Sequence, residues 1–289
     1  MQVVTLIAKA GGLCNDRLDG LRAAWQGHAL RWLAEAEAAE FAVDTAPGDQ
    51  WRVWEDLQSA DIDLIVQPEV GRRKSMLLAD MDSTMIGQEC IDELADEAGV
   101  GDHVKDITAR AMNGELDFEE ALIERVALLK GLNAGIIQRV FDERITFTPG
   151  GKTLIATMKA NGGYAALVSG GFTSFTSRVA AALGFDEHHA NNLLEENGQL
   201  SGQVGRPILG RQAKVEALHA ISNARGLTPA DVIAVGDGAN DLGMLGLAGS
   251  GVALHAKPVV AAECDIRINH GDLTALLYLQ GYSRDQFAG

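Results

Sequence analysis

Three apolar runs in this chain each end in a polar loop. "LLA" (77–79) runs into "DMDST" (80–84), "AALV" (165–168) into "SGG" (169–171), and "VIAV" (232–235) into "GDGAND" (236–241). An apolar strand that ends on two carboxylates is a strong constraint, because unpaired charge is costly to desolvate. In parallel α/β sheets, ligands bind at the carboxyl ends of the strands. Three polar loops at three such ends therefore point to one shared site.

The segments between these runs have helical spacing. Residues 150–162, 172–184 and 210–226 read as helices, with short late strands in "GSGVAL" and "CDIRIN". Strands separated by helices imply a parallel, Rossmann-like sheet covered on both faces, an α/β fold. "NNLLEENGQLSGQV" carries Asn197-Gly198 between short runs, a hairpin signal. Residues 90–145 are almost wholly helical in pattern, with breaks at Gly99, Gly114 and Gly131. That block is too long for a crossover and reads as an inserted helical cap.

The composition shifts near residue 70, after the last of the four tryptophans (Trp25, Trp32, Trp51, Trp54). "VQPEVGRRKS" reads as a linker. The expected organisation is a small α+β domain over 1–70 and a larger domain over 71–289. Within the first, strands and helices suit a βαββαβ order. Its weak element is "HALRWLAEAEAAEFAV", which fits two strands with a turn or one helix. Its alanines and glutamates favour helix locally.

The net charge is −16 over 289 residues. This argues against nucleic acid and anionic membrane as partners, since both require a basic footprint. No apolar run reaches the roughly 18 residues of a membrane span, and the N-terminus lacks a basic head before an apolar run, so a cytoplasmic protein is expected. Cys14, Cys90 and Cys264 lack metal or disulfide spacing and read as buried small hydrophobes.

Asp80 and Asp82 form a pair that can divide labour as nucleophile and proton donor; each alone suits a turn or helix cap equally. Asp237 and Asp241 add two more carboxylates. Four converging acids repel one another unless a hard divalent cation such as Mg²⁺ sits among them. Ser169, Gly170 and Gly171 open a helix whose first N–H groups suit a phosphate. Lys214 is a lysine on a helix in a chain poor in basic residues.

"DMDST", "SGG", Lys214 and "GDGAND" together resemble the four ordered motifs of the haloacid dehalogenase superfamily, from about Ser75 to the C-terminus. The helical block sits where that superfamily places its first cap. "ECIDELADEAG", "ITARAMNGELDFEEALIERVALLKG" and "VSGGF" narrow the resemblance to its phosphoserine phosphatases. The resemblance implies Asp80 as nucleophile and Asp82 as acid and base. It implies Mg²⁺ held by Asp80, Asp82 through its carbonyl, and Asp237, with Asp241 in support. Ser169, Gly170, Lys214 and Asn240 would hold the phosphoryl group. Glu89 would bind a substrate ammonium and Arg125 its carboxylate, with Met112 and Phe118 closing over them. The expected reaction is hydrolysis of O-phospho-L-serine, the last step of serine synthesis. Two rivals stand beside it: a phosphotransferase acting on a hydroxyl such as homoserine's, and a non-catalytic sensor or scaffold. The first domain resembles the ACT regulatory domains; regulation, homodimerisation and plain stabilisation all stay open for it.

Overall fold

The computed structural model describes residues 1–289. The first unit runs β1 (Gln2–Ala8), α1 (Asn15–Ala24), β2 (Arg31–Ala34), β3 (Ala38–Val43), α2 (Gln50–Gln58) and β4 (Ile62–Pro68). Its strands form an antiparallel sheet in the order β2-β3-β1-β4, a ferredoxin-like βαββαβ unit. The ambiguous middle segment is a hairpin, with Ala36 at φ +55° in its turn. The local helix preference of alanine and glutamate amounts to tenths of a kcal/mol per residue, roughly. It loses to pairing with β1 from Gln2↔Val43 to Ile7↔Ala38 and to the burial of Ala38, Ala39, Phe41 and Val43.

One face of this sheet packs Val4, Leu6, Phe41 and Leu64 against Leu18 of α1 and Leu57 of α2. The other face contributes Ile7, Ala38 and Ile65 to the core of the larger unit. Polar groups complete the docking. Glu40 receives Arg31 and Arg72, each at 2.6 Å. Gln67 donates to the Leu279 carbonyl at 2.8 Å. Asp63 accepts from the backbone N–H groups of Asn269, His270 and Gly271. The basic cluster of the connecting segment is thus pinned down rather than loose, with Arg73 stacked 3.9 Å from the Tyr282 ring centroid.

The larger unit begins with β5 (Met76–Ala79) and then four helices, α3 (Cys90–Glu97), α4 (Gly101–Met112), α5 (Phe118–Ala127) and α6 (Ile136–Arg144). Gly99, Gly114 and Gly131, with positive φ, follow the first three of these. The chain continues through α7 (Gly151–Ala160), β6 (Tyr164–Phe172), α8 (Thr173–Leu183), β7 (Glu187–Asn191), β8 (Leu193–Glu196), β9 (Gln199–Val204) and α9 (Arg211–Ala224). It closes with β10 (Val232–Gly236), α10 (Leu242–Leu247), β11 (Ser250–Leu254), α11 (Pro258–Glu263), β12 (Ile266–Ile268) and α12 (Ala275–Leu279). No helix is long and apolar enough to cross a membrane.

The six-stranded sheet is parallel throughout, in the order β12-β11-β10-β5-β6-β7. This is the doubly wound order, with its switch point between β5 and β10, where such sheets bind ligands. Edge strand β7, "EHHAN", has no apolar signature in the sequence. His188 and His189 lie on it, bonded to Thr176 and Glu187 at 3.0 and 3.1 Å.

The four-helix insert is tied on at both ends. Its two connecting segments pair at Ile86 and Phe147, with Gly87 N–H to Thr146 O at 2.9 Å and Thr148 N–H to Met85 O at 3.0 Å. The β8–β9 hairpin turns at Asn197 and Gly198, with φ of +52° and +77°, and its backbone bonds to the insert at Gly131, Leu132 and Ala134. Two expectations need correction. Cys14 is exposed, while Cys90 and Cys264 are buried; its neighbours at the start of α1 leave it on the surface. The "SGG" loop does not open a helix: β6 runs on to Phe172, and residues 169–171 lie where the β6–β7 register shifts. Such bulges re-aim side chains beside active sites.

Candidate active site

β5 ends at Ala79, and the next residue, Asp80, anchors its N–H on the Val235 carbonyl of β10 at 3.0 Å. The two carboxylates of "DMDST" then point apart. Asp80 Oδ1 accepts from Lys214 Nζ at 2.7 Å and from the Met81 N–H at 2.8 Å. Asp82 Oδ1 accepts from the Cys90 N–H at 3.0 Å, and its Oδ2 lies 3.4 Å from the Ser169 hydroxyl. Ser83, between strand end and insert, has φ +54°, a strained conformation for a residue with a side chain. It is held by its N–H to Gln88 O at 3.2 Å and its hydroxyl to Glu89 Oε1 at 2.7 Å.

Lys214, fully buried on α9, joins Asp80 to Asp241, whose Oδ1 lies 2.6 Å from Nζ. Asp241 Oδ2 accepts the N–H groups of Asp237 and Gly238, so this carboxylate organises the loop after β10. A Cβ on Gly236 would lie 2.4 Å from the Asp241 carboxyl carbon, which only glycine avoids.

Asp237 is the exception in this network. It is buried, its Oδ1 accepts from Thr84 Oγ1 at 3.1 Å, and its Oδ2 has no hydrogen-bond partner. Oxygens of Asp80, Asp237 and Asp241 lie within 4.8 Å of one another. A buried, unpartnered carboxylate oxygen inside an all-oxygen donor set fits a hard divalent cation.

The protonation equilibria follow from this crowding. Burial and the neighbouring Asp241 push Asp80 up to about 7, against the pull of Lys214. Burial lifts Asp82 to about 6, with the Asp80 charge adding and the Cys90 N–H opposing. Burial also raises Asp237, reinforced by Glu89, Asp241 and Asp80. Burial pulls the Lys214 ammonium down, but the Asp241 and Asp80 carboxylates outweigh it and hold it well above the usual lysine range.

Above these acids lies a narrow cleft whose empty space, its mouth to solvent included, is about 410 Å³. Asp80, Asp82, Ser169, Gly170 and Asn240 form its floor; Glu89, Met112, Phe118 and Arg125 come from the insert and its entry. Every phosphate- and substrate-directed residue expected from the sequence lines it except Lys214, which sits behind Asp80 with Asp237 and Asp241. Asn240 Oδ1 is buried without a partner. The insert closes tightly over the floor: a Cβ on Gly170 would fall 2.5 Å from Phe118 Cζ. Burial, then the Asp82 charge, lifts Glu89 to about 7, with the Ser83 hydroxyl opposing. Sequence reasoning passed over Ser83, Thr84 and Thr108. The first two stand inside "DMDST" itself, while Thr108 carries no local signal.

Comparison with known proteins identifies the family. A model of the haloacid dehalogenase-like hydrolases matches residues 77–246. A phosphoserine phosphatase of Archaeoglobus fulgidus is 41% identical over 248 residues, covering 84% of this chain and 72% of its own. A substrate-bound phosphoserine phosphatase structure superposes with a TM-score of 0.69 at 41% identity, over 71% of this chain and 98% of that one. A haloacid dehalogenase family hydrolase from Salmonella enterica serovar Typhi superposes with a TM-score of 0.86 at 29% identity, over 96% of this chain and 97% of its own. With the sheet order, the strand-end acids and these matches in place, the chain belongs to the haloacid dehalogenase-like hydrolases.

Proposed function

We propose that this chain hydrolyses O-phospho-L-serine to L-serine and inorganic phosphate. The observation that carries this reading is the pairing of charges in one cleft: Glu89 and Arg125 stand over Asp80 and Asp82. An acid suits the substrate ammonium and a guanidinium fork its carboxylate. The phosphoserine phosphatases among the relatives support the same substrate.

Asp80 attacks phosphorus as its carboxylate, and the bond from phosphorus to the serine oxygen breaks. Asp82, beside the Ser169 hydroxyl, gives its proton to that oxygen. The result is L-serine and an aspartyl-phosphate on Asp80. Asp82, now a carboxylate, takes a proton from a water that attacks the same phosphorus, which frees Asp80 and phosphate. Ser169, the Gly170 N–H, Asn240 and Lys214 orient the phosphoryl oxygens, on which the transition-state charge is spread. We assign Mg²⁺ to Asp80, Asp237 and the Asp82 carbonyl, with Asp241 in support. Bound there, it supplies the positive charge that lets an anionic carboxylate approach a phosphate.

We divide the chain into a small domain over 1–70 and a catalytic domain over 71–289 whose cap spans about 90–145. The small sheet's second face is spent on docking to the larger unit, which favours a stabilising role for it.

The test is phosphate release from O-phospho-L-serine, with and without Mg²⁺, beside a simple aryl phosphate. Mg²⁺-dependent release that favours phosphoserine supports the reading. Release from the aryl phosphate alone keeps the chemistry and discards the substrate.

A further inference from the structure

Arg125 is 2% exposed and lies on α5 within the insert. A buried guanidinium is tolerated only when its donors are met. Its Nε donates to the Ala121 carbonyl one turn back at 3.0 Å, and its Nη1 donates to Thr108 Oγ1 at 2.9 Å. Thr108, on α4 and also buried, donates in turn to Asp92 Oδ1 of α3 at 2.6 Å. A hydroxyl has one proton and two lone pairs. With that proton committed to Asp92, a lone pair is turned to Arg125. Nε and Nη1 are thus held by the protein, Nη2 donates to no protein group, and Arg125 lines the cleft, so N–H groups of the fork remain for a ligand there.

Recognition of a planar carboxylate by two parallel N–H groups depends on the plane of the guanidinium. Three helices of the insert each contribute one member of the chain that sets this plane. We propose that Thr108 and Asp92 are positioning residues for Arg125, which they orient to select substrates that carry a carboxylate. The proposal rests on the phosphoserine reading.

Steady-state kinetics on O-phospho-L-serine and on O-phosphoethanolamine separate the possibilities. The second compound keeps the phosphate and the ammonium and lacks the carboxylate. Thr108→Val should raise KM for phosphoserine by roughly tenfold, the scale of one hydrogen bond to a charged group. It should leave kcat on phosphoserine, and both constants on phosphoethanolamine, at their wild-type values. Thr108→Ser returns the hydroxyl and should restore KM. Asp92→Asn keeps an acceptor oxygen but loses the charge, and should fall between, so it carries the same comparison should Thr108→Val fail to fold. Equal losses on both compounds, no loss on phosphoserine, or no recovery with serine at 108 would overturn the proposal. Wild-type protein with no preference for phosphoserine would overturn the substrate reading itself. A preference that Arg125→Lys removes and Thr108→Val leaves intact would overturn the positioning role alone.

Discussion

The four-stranded and six-stranded sheets of this molecule both bury charged and polar side chains, but they use them in opposite ways. In the small sheet Glu40, Asp63 and Gln67 are all matched by groups of the larger unit. In the large sheet the acids at the switch point repel one another, and Asp237 Oδ2 and Asn240 Oδ1 are left unmatched. Satisfied buried polar groups fix one domain against another. Unsatisfied ones at strand ends are a cost that folding alone does not explain, and a bound phosphate and cation would repay it. The difference separates a docking surface from a catalytic one without reference to any relative.

The comparison breaks most sharply at Asp80. Asp80→Asn keeps the shape and an acceptor for Lys214 and removes the carboxylate proposed as nucleophile. Turnover should fall on the order of 10⁴-fold or more, the scale of a deleted nucleophile. In metal-free buffer the melting temperature should hold or rise, because burial and Asp241 both penalise the charge that is lost. A clear drop in melting temperature with activity retained would make Asp80 a structural acid like those of the small sheet.

Glu89 gives the next effect. Its carboxyl is lifted to about 7 by burial and by Asp82, so it gains its charge only as pH rises through that value. The charged form is the one that binds an ammonium. The ratio of kcat/KM for phosphoserine to that for an aryl phosphate should therefore climb with pH and level off above about 7, the substrate phosphates' own titration largely cancelling. Glu89→Gln should flatten the ratio and lower it on the order of a hundredfold at high pH, as expected for one partner of a desolvated charge pair. A flat wild-type profile would remove Glu89 as the ammonium anchor.

The sequence made the catalytic sheet easier to read than the small one, for a physical reason. Asp80 and Asp237 follow directly on apolar strands and Ser169 on the apolar run within β6, so the run and its chemistry are written within a few residues. The insert's helices show their spacing and their terminal glycines locally. The β2–β3 hairpin is hidden because its alanines and glutamates prefer helix until β1 offers a partner. Edge strand β7 is polar and has little apolar face to reveal it. The docking of the small sheet joins residues far apart in the chain, such as Asp63 and Asn269, and no local pattern encodes such a contact. Thr108 was invisible for the same reason: its hydroxyl has meaning only between Asp92 and Arg125.

The smallest effect tests the exception within the small sheet. Thr5 on β1 is fully buried, and its Oγ1 has no hydrogen-bond partner. It alternates with Val4 and Leu6 and so shares the face of Val3 and Ile7, the latter part of the larger unit's core. An unmatched hydroxyl in such a place is a net cost, and valine has nearly the same shape. Thr5→Val should raise stability by about 1 kcal/mol in denaturant unfolding and leave kcat/KM untouched, since Thr5 lines no part of the cleft. A loss of stability instead would mean that the hydroxyl is satisfied at the interface, and the small sheet would then have no unmatched polar group facing the catalytic unit.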